Sequence, residues 1–289
     1  MRNYYPLINS MGSGAAAPSY LLDTYSGAIA AYSLRKLSSA YTGYAIRVRR
    51  SSDNNSQDIG FDGSGNLDTT SMLSFVGAGN GFVSIWYDQS GNGKNLIQPT
   101  LTYQPLIIIS GNLVIRNSKT AVRFENNFNH LYTTSTISTS IKNNFTTLSI
   151  DGNATADYPS IWTWRASGIN VAWMQASNET RAIGVYPSSN KIIGGNITSF
   201  YANNISQNVA NLAWGIGITL PNANTNLNLI SLNQTSTAGN KYMMVGADPY
   251  NVNVGVRFNG SISESIFFEN ESTSINAINT NINSYYTIY

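Results

Sequence analysis

Along most of the chain, short runs of apolar and β-branched residues alternate with clusters of Asn, Gly, Ser, Thr and Pro. The run Tyr44-Ala45-Ile46-Arg47-Val48-Arg49-Arg50 interleaves basic and aliphatic side chains at a period of two, which predicts a half-buried strand with Arg47 and Arg49 on one face. Residues 59–61, 81–87, 106–109, 113–115 and 121–124 read as further strands. Beyond residue 130 the pattern repeats at 146–150, 160–164, 171–175, 183–186, 212–218, 227–232, 242–245 and 258–267. Many short strands divided by turn residues predict an all-β sandwich or jelly roll with a few short helices.

Three segments depart from this pattern. Over 23–37, Ala28, Ile29, Ala31, Tyr32, Leu34 and Leu37 fall at near-helical spacing, which predicts a short helix with Arg35 and Lys36 outward. A second short helix is expected around Leu73. A closing helix is expected over 274–285, where Ile275, Ile278 and Ile282 recur at i, i+3, i+7 despite poorly helical Asn and Thr neighbours. Residues 1–19 read as an arm, an apolar Tyr4-Tyr5-Pro6-Leu7-Ile8 patch followed by a Gly/Ala/Ser/Pro linker, and residues 20–289 as one sandwich domain.

Composition narrows the function classes. Of 289 residues 42% are hydrophobic, enough for a substantial core, yet only 10% are charged, against about a quarter in an average domain. A net charge of +2 gives no footprint for nucleic acid, and no apolar run approaches the ~20 residues that a bilayer-spanning helix needs. Cys is absent, which removes disulfides, thiolate metal sites and a Cys nucleophile. No basic start followed by an apolar stretch opens the chain, so export through a signal peptide is not expected. No cofactor is implied.

The most distinctive local sequence is Trp86-Tyr87-Asp88-Gln89-Ser90-Gly91-Asn92-Gly93-Lys94-Asn95. Two readings stand side by side: Asp88 and Asn92 bond local amides while the glycines take positive φ, or Asp88 and Asn92 contact a sugar. Ring faces stack on apolar sugar faces, which makes Trp162, Trp164 and Trp173 candidate carbohydrate-binding residues as well as candidate core. Trp162 and Trp164, two apart, should share a face. Asp62, Ser64, Asn66 and Asp68 offer oxygens at every second position in the style of a Ca²⁺ loop, making Asp62 and Asp68 weak metal candidates against an Asx-rich turn. His130 has no evident base-orienting partner in sequence.

The stretches Ala31-Tyr32-Ser33-Leu34-Arg35-Lys36-Leu37, Ile46-Arg47-Val48-Arg49-Arg50-Ser51-Ser52-Asp53-Asn54 and Asp58-Ile59-Gly60-Phe61, followed by the Asp88 loop, resemble the catalytic domain of family 54 α-L-arabinofuranosidases. The same block resembles one found in many bacteriophage virion proteins. The resemblance implies a concanavalin A-like jelly-roll sandwich. It also implies a general acid, and Val245-Gly246-Ala247-Asp248 makes Asp248 its counterpart. A retaining glycosidase needs a second carboxylate about 5 Å away. The segment similar to the family's nucleophile region, Gly184-Val185-Tyr186-Pro187-Ser188-Ser189-Asn190, contains none, and Glu179, the only Glu between Glu125 and Glu264, reads as a turn residue. The family's neighbouring cysteines are missing too.

The expectation is therefore a virion decoration, head-fibre or tail-associated adhesin that binds host-surface or environmental polysaccharide without catalysis. Its arm at 1–19 would attach to other virion proteins, and homo-oligomers, trimers among them, would supply avidity. It would be made in the host cytoplasm and displayed on the capsid or tail surface. An active hydrolase using Asp248, or a purely structural virion component, are the alternatives.

Overall fold

The computed structural model describes residues 20–116, 118–125, 129–135, 137–138, 142–150, 160–166, 169–177, 182–186, 191–193, 212–213, 227–235, 240–246, 260–269 and 274–286. Helices are Leu21–Thr24 (α1), Thr69–Val76 (α2) and Ile275–Tyr286 (α3). The first ten strands are Ala28–Ser33 (β1), Ile46–Arg50 (β2), Ser56–Ile59 (β3), Gly81–Trp86 (β4), Leu96–Ile97 (β5), Leu106–Ile109 (β6), Asn112–Leu113 (β7), Ile115–Arg116 (β8), Lys119–Thr120 (β9) and Val122–Phe124 (β10). Then come Leu131–Thr133 (β11), Ile137–Ser138 (β12), Lys142–Ile150 (β13), Ser160–Ala166 (β14), Ile169–Ser177 (β15) and Ala182–Tyr186 (β16). Lys191–Ile193 (β17), Leu212–Ala213 (β18), Leu227–Thr235 (β19), Asn240–Val245 (β20) and Gly260–Glu269 (β21) complete the order.

All pairings between these strands are antiparallel, and they build the all-β sandwich that the turn spacing predicts. In one layer β21 lies between β13 on one edge and β1 with β10 on the other, and β13 continues through β19 to β18. The other layer runs β3, β2, β4, β5, β11, β20, β14, β15, β16, β17. Strand β6 joins the two, pairing β4 and meeting β10 at Arg123 opposite Leu106.

The main core fills the space between the layers, with Tyr32, Ile46, Val48, Val83, Trp86, Phe124, Met243, Val245, Ile262 and Phe267 buried in it. A second core lies on the outer face of β1 and β21, where Ala28, Ala31, Ile266 and Phe268 are covered by Leu21 of α1 and by Ile278, Ile282 and Tyr286 of α3. The closing helix thus forms where its isoleucine spacing places it.

The expected helix over 23–37 is corrected. Only one helical turn, Leu21–Thr24, forms before Gly27 takes φ +88° and the chain enters β1. Strand β1 is buried on both faces, Ala30 and Tyr32 inward and Ala28 and Ala31 outward, with a bulge between Ala28 and Ala30. Such a strand loses the apolar–polar alternation, and its bulge spaces apolar residues as a helix would. Arg35, expected to point outward, is buried at 9% exposure. Strand β3 ends at Ile59, short of the run expected to Phe61. Helix α2 forms around Leu73, capped by Asp68, whose carboxylate accepts from the Ser71 amide at 2.9 Å. The arm at 1–19 and residues 214–218 lie outside the described residues.

Where β1 ends, a buried ion pair ties three elements together. Arg35 Nε and Nη2 donate to Glu264 Oε2 and Oε1 at 2.8 and 2.9 Å, and the Ser33 hydroxyl donates to Oε2 at 2.7 Å. The guanidinium stacks 4.7 Å from the Tyr285 ring centroid and 5.7 Å from that of Tyr286. Burial alone would weaken the Arg35 charge, but the Glu264 carboxylate outweighs it and raises the guanidinium above its ordinary pKa. Burial, followed by the nearby Glu264 charge, pushes the Tyr286 phenol far above the usual range.

Two stability outcomes are expected from this architecture. Ile282→Ala, in the second core, should cost about 2–5 kcal/mol in urea unfolding, whereas Ile115→Ala at the surface should stay within about 0.5 kcal/mol. Arg35→Met alone should cost about 3–5 kcal/mol by stranding Glu264, and the double change Arg35→Met with Glu264→Met should recover much of that loss.

Candidate functional site

Asp88, at the mouth of the loop after β4, is buried, and its carboxylate accepts four donors. Oδ1 takes the amides of Ala31 and Ser90 at 2.8 and 2.9 Å; Oδ2 takes the Ser90 hydroxyl and the Lys94 amide at 2.8 and 2.9 Å. Asn92 donates to the carbonyls of Ala28 and Ile29 at 2.9 and 3.2 Å. Gly91 and Gly93 take φ of +87° and +67°, a region that side chains with a Cβ rarely occupy. Gln89, unremarked in the sequence, accepts from the Leu37 amide at 2.8 Å and donates to the carbonyls of Ser33 and Arg35 at 2.9 and 3.0 Å. The loop therefore pairs the otherwise open edge of β1.

The tryptophan positions fall on adjacent strands. In the β14–β20 pairing Trp162 stands opposite Val245 and Trp164 opposite Met243, two residues of the main core. On β15, Trp173 is opposite Thr163 of β14 and Tyr186 of β16, so its position is on the other face from 162 and 164. Asp248 lies outside the described residues, as does Glu179. The segment leading to it, β20, is nonetheless separated only by β14 and β15 from β16, the strand of Gly184, Val185 and Tyr186.

Asp62 and Asp68 serve local geometry. Asp62 Oδ1 accepts the amides of Ser64 and Asn66, both at 2.9 Å, which makes an Asx-type turn, and Asp68 is the cap of α2. Among the described residues no three His, Asp or Glu side chains gather as a metal cluster. His130 is buried between Tyr103 and Tyr132, with ring centroids 5.5 and 6.0 Å away. At the β2–β3 edge Arg47 holds Asp58 through two hydrogen bonds of 2.8 and 2.7 Å, and Tyr87 donates to the same carboxylate at 2.6 Å. The Arg47 bonds keep the Asp58 carboxyl below the ordinary carboxylate range, and burial lifts the Tyr87 phenol.

A pocket of about 280 Å³ opens where the Asp62 turn, the β8–β9 hairpin and the last turn of α3 meet. Its walls include Leu34, Leu67 and Leu113, and its polar groups include Asp62, Asn66 and Lys119. The Tyr285 hydroxyl donates to Asn66 Oδ1 at 2.7 Å, while the Lys119 ammonium lies 3.9 Å from the Tyr285 ring centroid. Burial pushes the Tyr285 phenol up to about 12. Of this group only the 62–68 turn stands out in the sequence. The contact that completes the pocket joins residues 219 apart, and no local pattern announces it.

Residues 23–106 match the family model of the α-L-arabinofuranosidase B catalytic domain. Among solved structures, an arabinofuranosidase complexed with arabinofuranosyl-α-1,2-xylobiose superposes with a TM-score of 0.58 at 16% identity, over 91% of this chain and 64% of that one. A mutant GH54 α-L-arabinofuranosidase soaked with 4-nitrophenyl α-L-arabinofuranoside gives 0.59 at 15% identity, and a GH54 enzyme soaked with a cyclic sulfate inhibitor gives 0.56 at 14%, each with the same coverage. No curated protein matches the sequence. The chain spans 64% of the length of these solved proteins, and what it shares with them is the sandwich of the GH54 arabinofuranosidase catalytic domain.

Proposed function

We propose that this chain is a non-catalytic carbohydrate-binding module of a bacteriophage virion, a decoration protein, head fibre or tail-associated adhesin. It holds host-surface or environmental polysaccharide along β20, β14, β15 and β16. The observation that carries the reading is the fate of the two carboxylate positions in an arabinofuranosidase-like sandwich. The segment before Asp248 and the segment at Gly184–Tyr186 stand on one sheet, two strands intervening, and the second supplies no carboxylate. An acid at 248 without a carboxylate from that segment lacks the second group that retaining hydrolysis requires. The virion placement draws on the resemblance of the 31–61 block to phage proteins and on the polar, cysteine-free composition. Attachment runs through residues 1–19, and assembly into a homo-oligomer multiplies weak sugar contacts.

The competing reading, an active arabinofuranosidase, is favoured by superposition on arabinofuranosidases complexed or soaked with arabinofuranosides. One experiment separates the two. The full chain should bind arabinofuranose-bearing oligosaccharides or host capsule on a glycan array, should lose about tenfold in affinity on Trp173→Ala, and should leave 4-nitrophenyl α-L-arabinofuranoside intact. Turnover abolished by Asp248→Asn would establish the hydrolase instead, and absence of binding to every glycan would overturn adhesion. Mass spectrometry of purified particles tests the virion placement.

A further inference from the structure

We propose that the pocket between the Asp62 turn, the β8–β9 hairpin and the end of α3 is a second carbohydrate site, which takes a carboxylated monosaccharide of the hexuronate kind. At about 280 Å³ it is at the small end of ligand pockets and suits one sugar ring. Leu34, Leu67 and Leu113 give the apolar wall against which ring C–H groups pack.

The polar groups set the charge of the ligand. Arg35 lies against the same Tyr285 ring as Lys119, but its charge is matched by Glu264. Lys119 has no carboxylate within salt-bridge reach among the described residues. Its contact with the ring uses the charge and leaves its N–H donors for a carboxylate, where charge-assisted hydrogen bonds are strong. Asp62 commits Oδ1 to two amides, so Oδ2 is left to accept a sugar hydroxyl. Asn66, which lines the pocket, uses its oxygen for Tyr285 and its backbone amide for Asp62, so its side-chain amide is the donor it has left to offer a ligand. A neutral sugar leaves Lys119 unmatched, and a phosphate dianion meets the Asp62 carboxylate. A singly charged, hydroxyl-rich ring satisfies both ends.

This site is independent of β14–β16, so its test and that of the proposed function fail separately. The full chain is titrated at low salt with methyl β-D-glucuronide, methyl β-D-glucoside and inorganic phosphate, followed by ligand-observed NMR and calorimetry. Saturable glucuronide binding is expected, about tenfold tighter than for the glucoside or phosphate, weakened by added salt and unchanged in Trp173→Ala. Lys119→Met, which keeps the aliphatic stem over Tyr285, should reduce affinity about tenfold, and Asp62→Asn severalfold. Absence of saturable glucuronide binding, equal affinity for the glucoside, or indifference to Lys119→Met would overturn the proposal. Where a variant fails to fold, the charge preference and salt dependence of the unaltered chain decide the outcome.

Discussion

The pairing of Arg35 with Glu264 is the contact around which the two ends of the described chain are arranged. Taking both charges out of water costs several kcal/mol per ion, and mutual attraction offsets this only when the remaining hydrogen-bonding capacity is also met. Here the pair is bidentate, Ser33 donates to the carboxylate, and the rings of Tyr285 and Tyr286 lie against the guanidinium. Ser33 sits directly opposite Glu264 in the β1–β21 register, so a slip of one residue would leave the carboxylate facing the wrong partners. The last turn of α3 is thereby positioned, and with it the Tyr285 ring that borders the pocket.

A second set of polar contacts guards the other edge of β1. An open edge is a template for unwanted pairing, and proteins commonly cover it. The Asp88 loop does so with side chains, reaching Ala28 and Ile29 through Asn92, Ala31 through Asp88, and Ser33, Arg35 and Leu37 through Gln89. Both β1 and this loop fall within the 23–106 stretch that matches the arabinofuranosidase family model. What that stretch encodes is the scaffold. The strands that flank residue 248 in sequence, β20 and β21, lie beyond it.

The sequence made much of this legible, and unevenly. Period-two runs located β2 and β4, the isoleucine spacing located α3, and the paired glycines with Asp88 and Asn92 announced a loop with fixed backbone geometry. Each is a local signal. Strand β1 carries a helix-like pattern instead, because burial on both faces removes the apolar–polar alternation that marks a strand. Arg35 looked like a surface residue because its partner lies 229 positions away. The pocket is invisible for the same reason, since the 62–68 stretch by itself suggests an Asx-rich turn or a cation loop, and the pocket is completed by Tyr285 and Lys119 from elsewhere in the chain.

The two-sided burial of β1 also bears on how the chain reaches its native state. One of its edges pairs with β21, and its outer face packs under α3, so neither can be satisfied until segments more than 200 residues downstream are present. Contacts of such long sequence separation make for slow folding, because the entropy of closing the intervening chain is lost before the pairing is gained. Until then the stretch from Ala28 to Tyr32 is an exposed apolar strand in search of a neighbour. The Asp88 loop, only 57 residues away, can bond its backbone edge long before β21 is present.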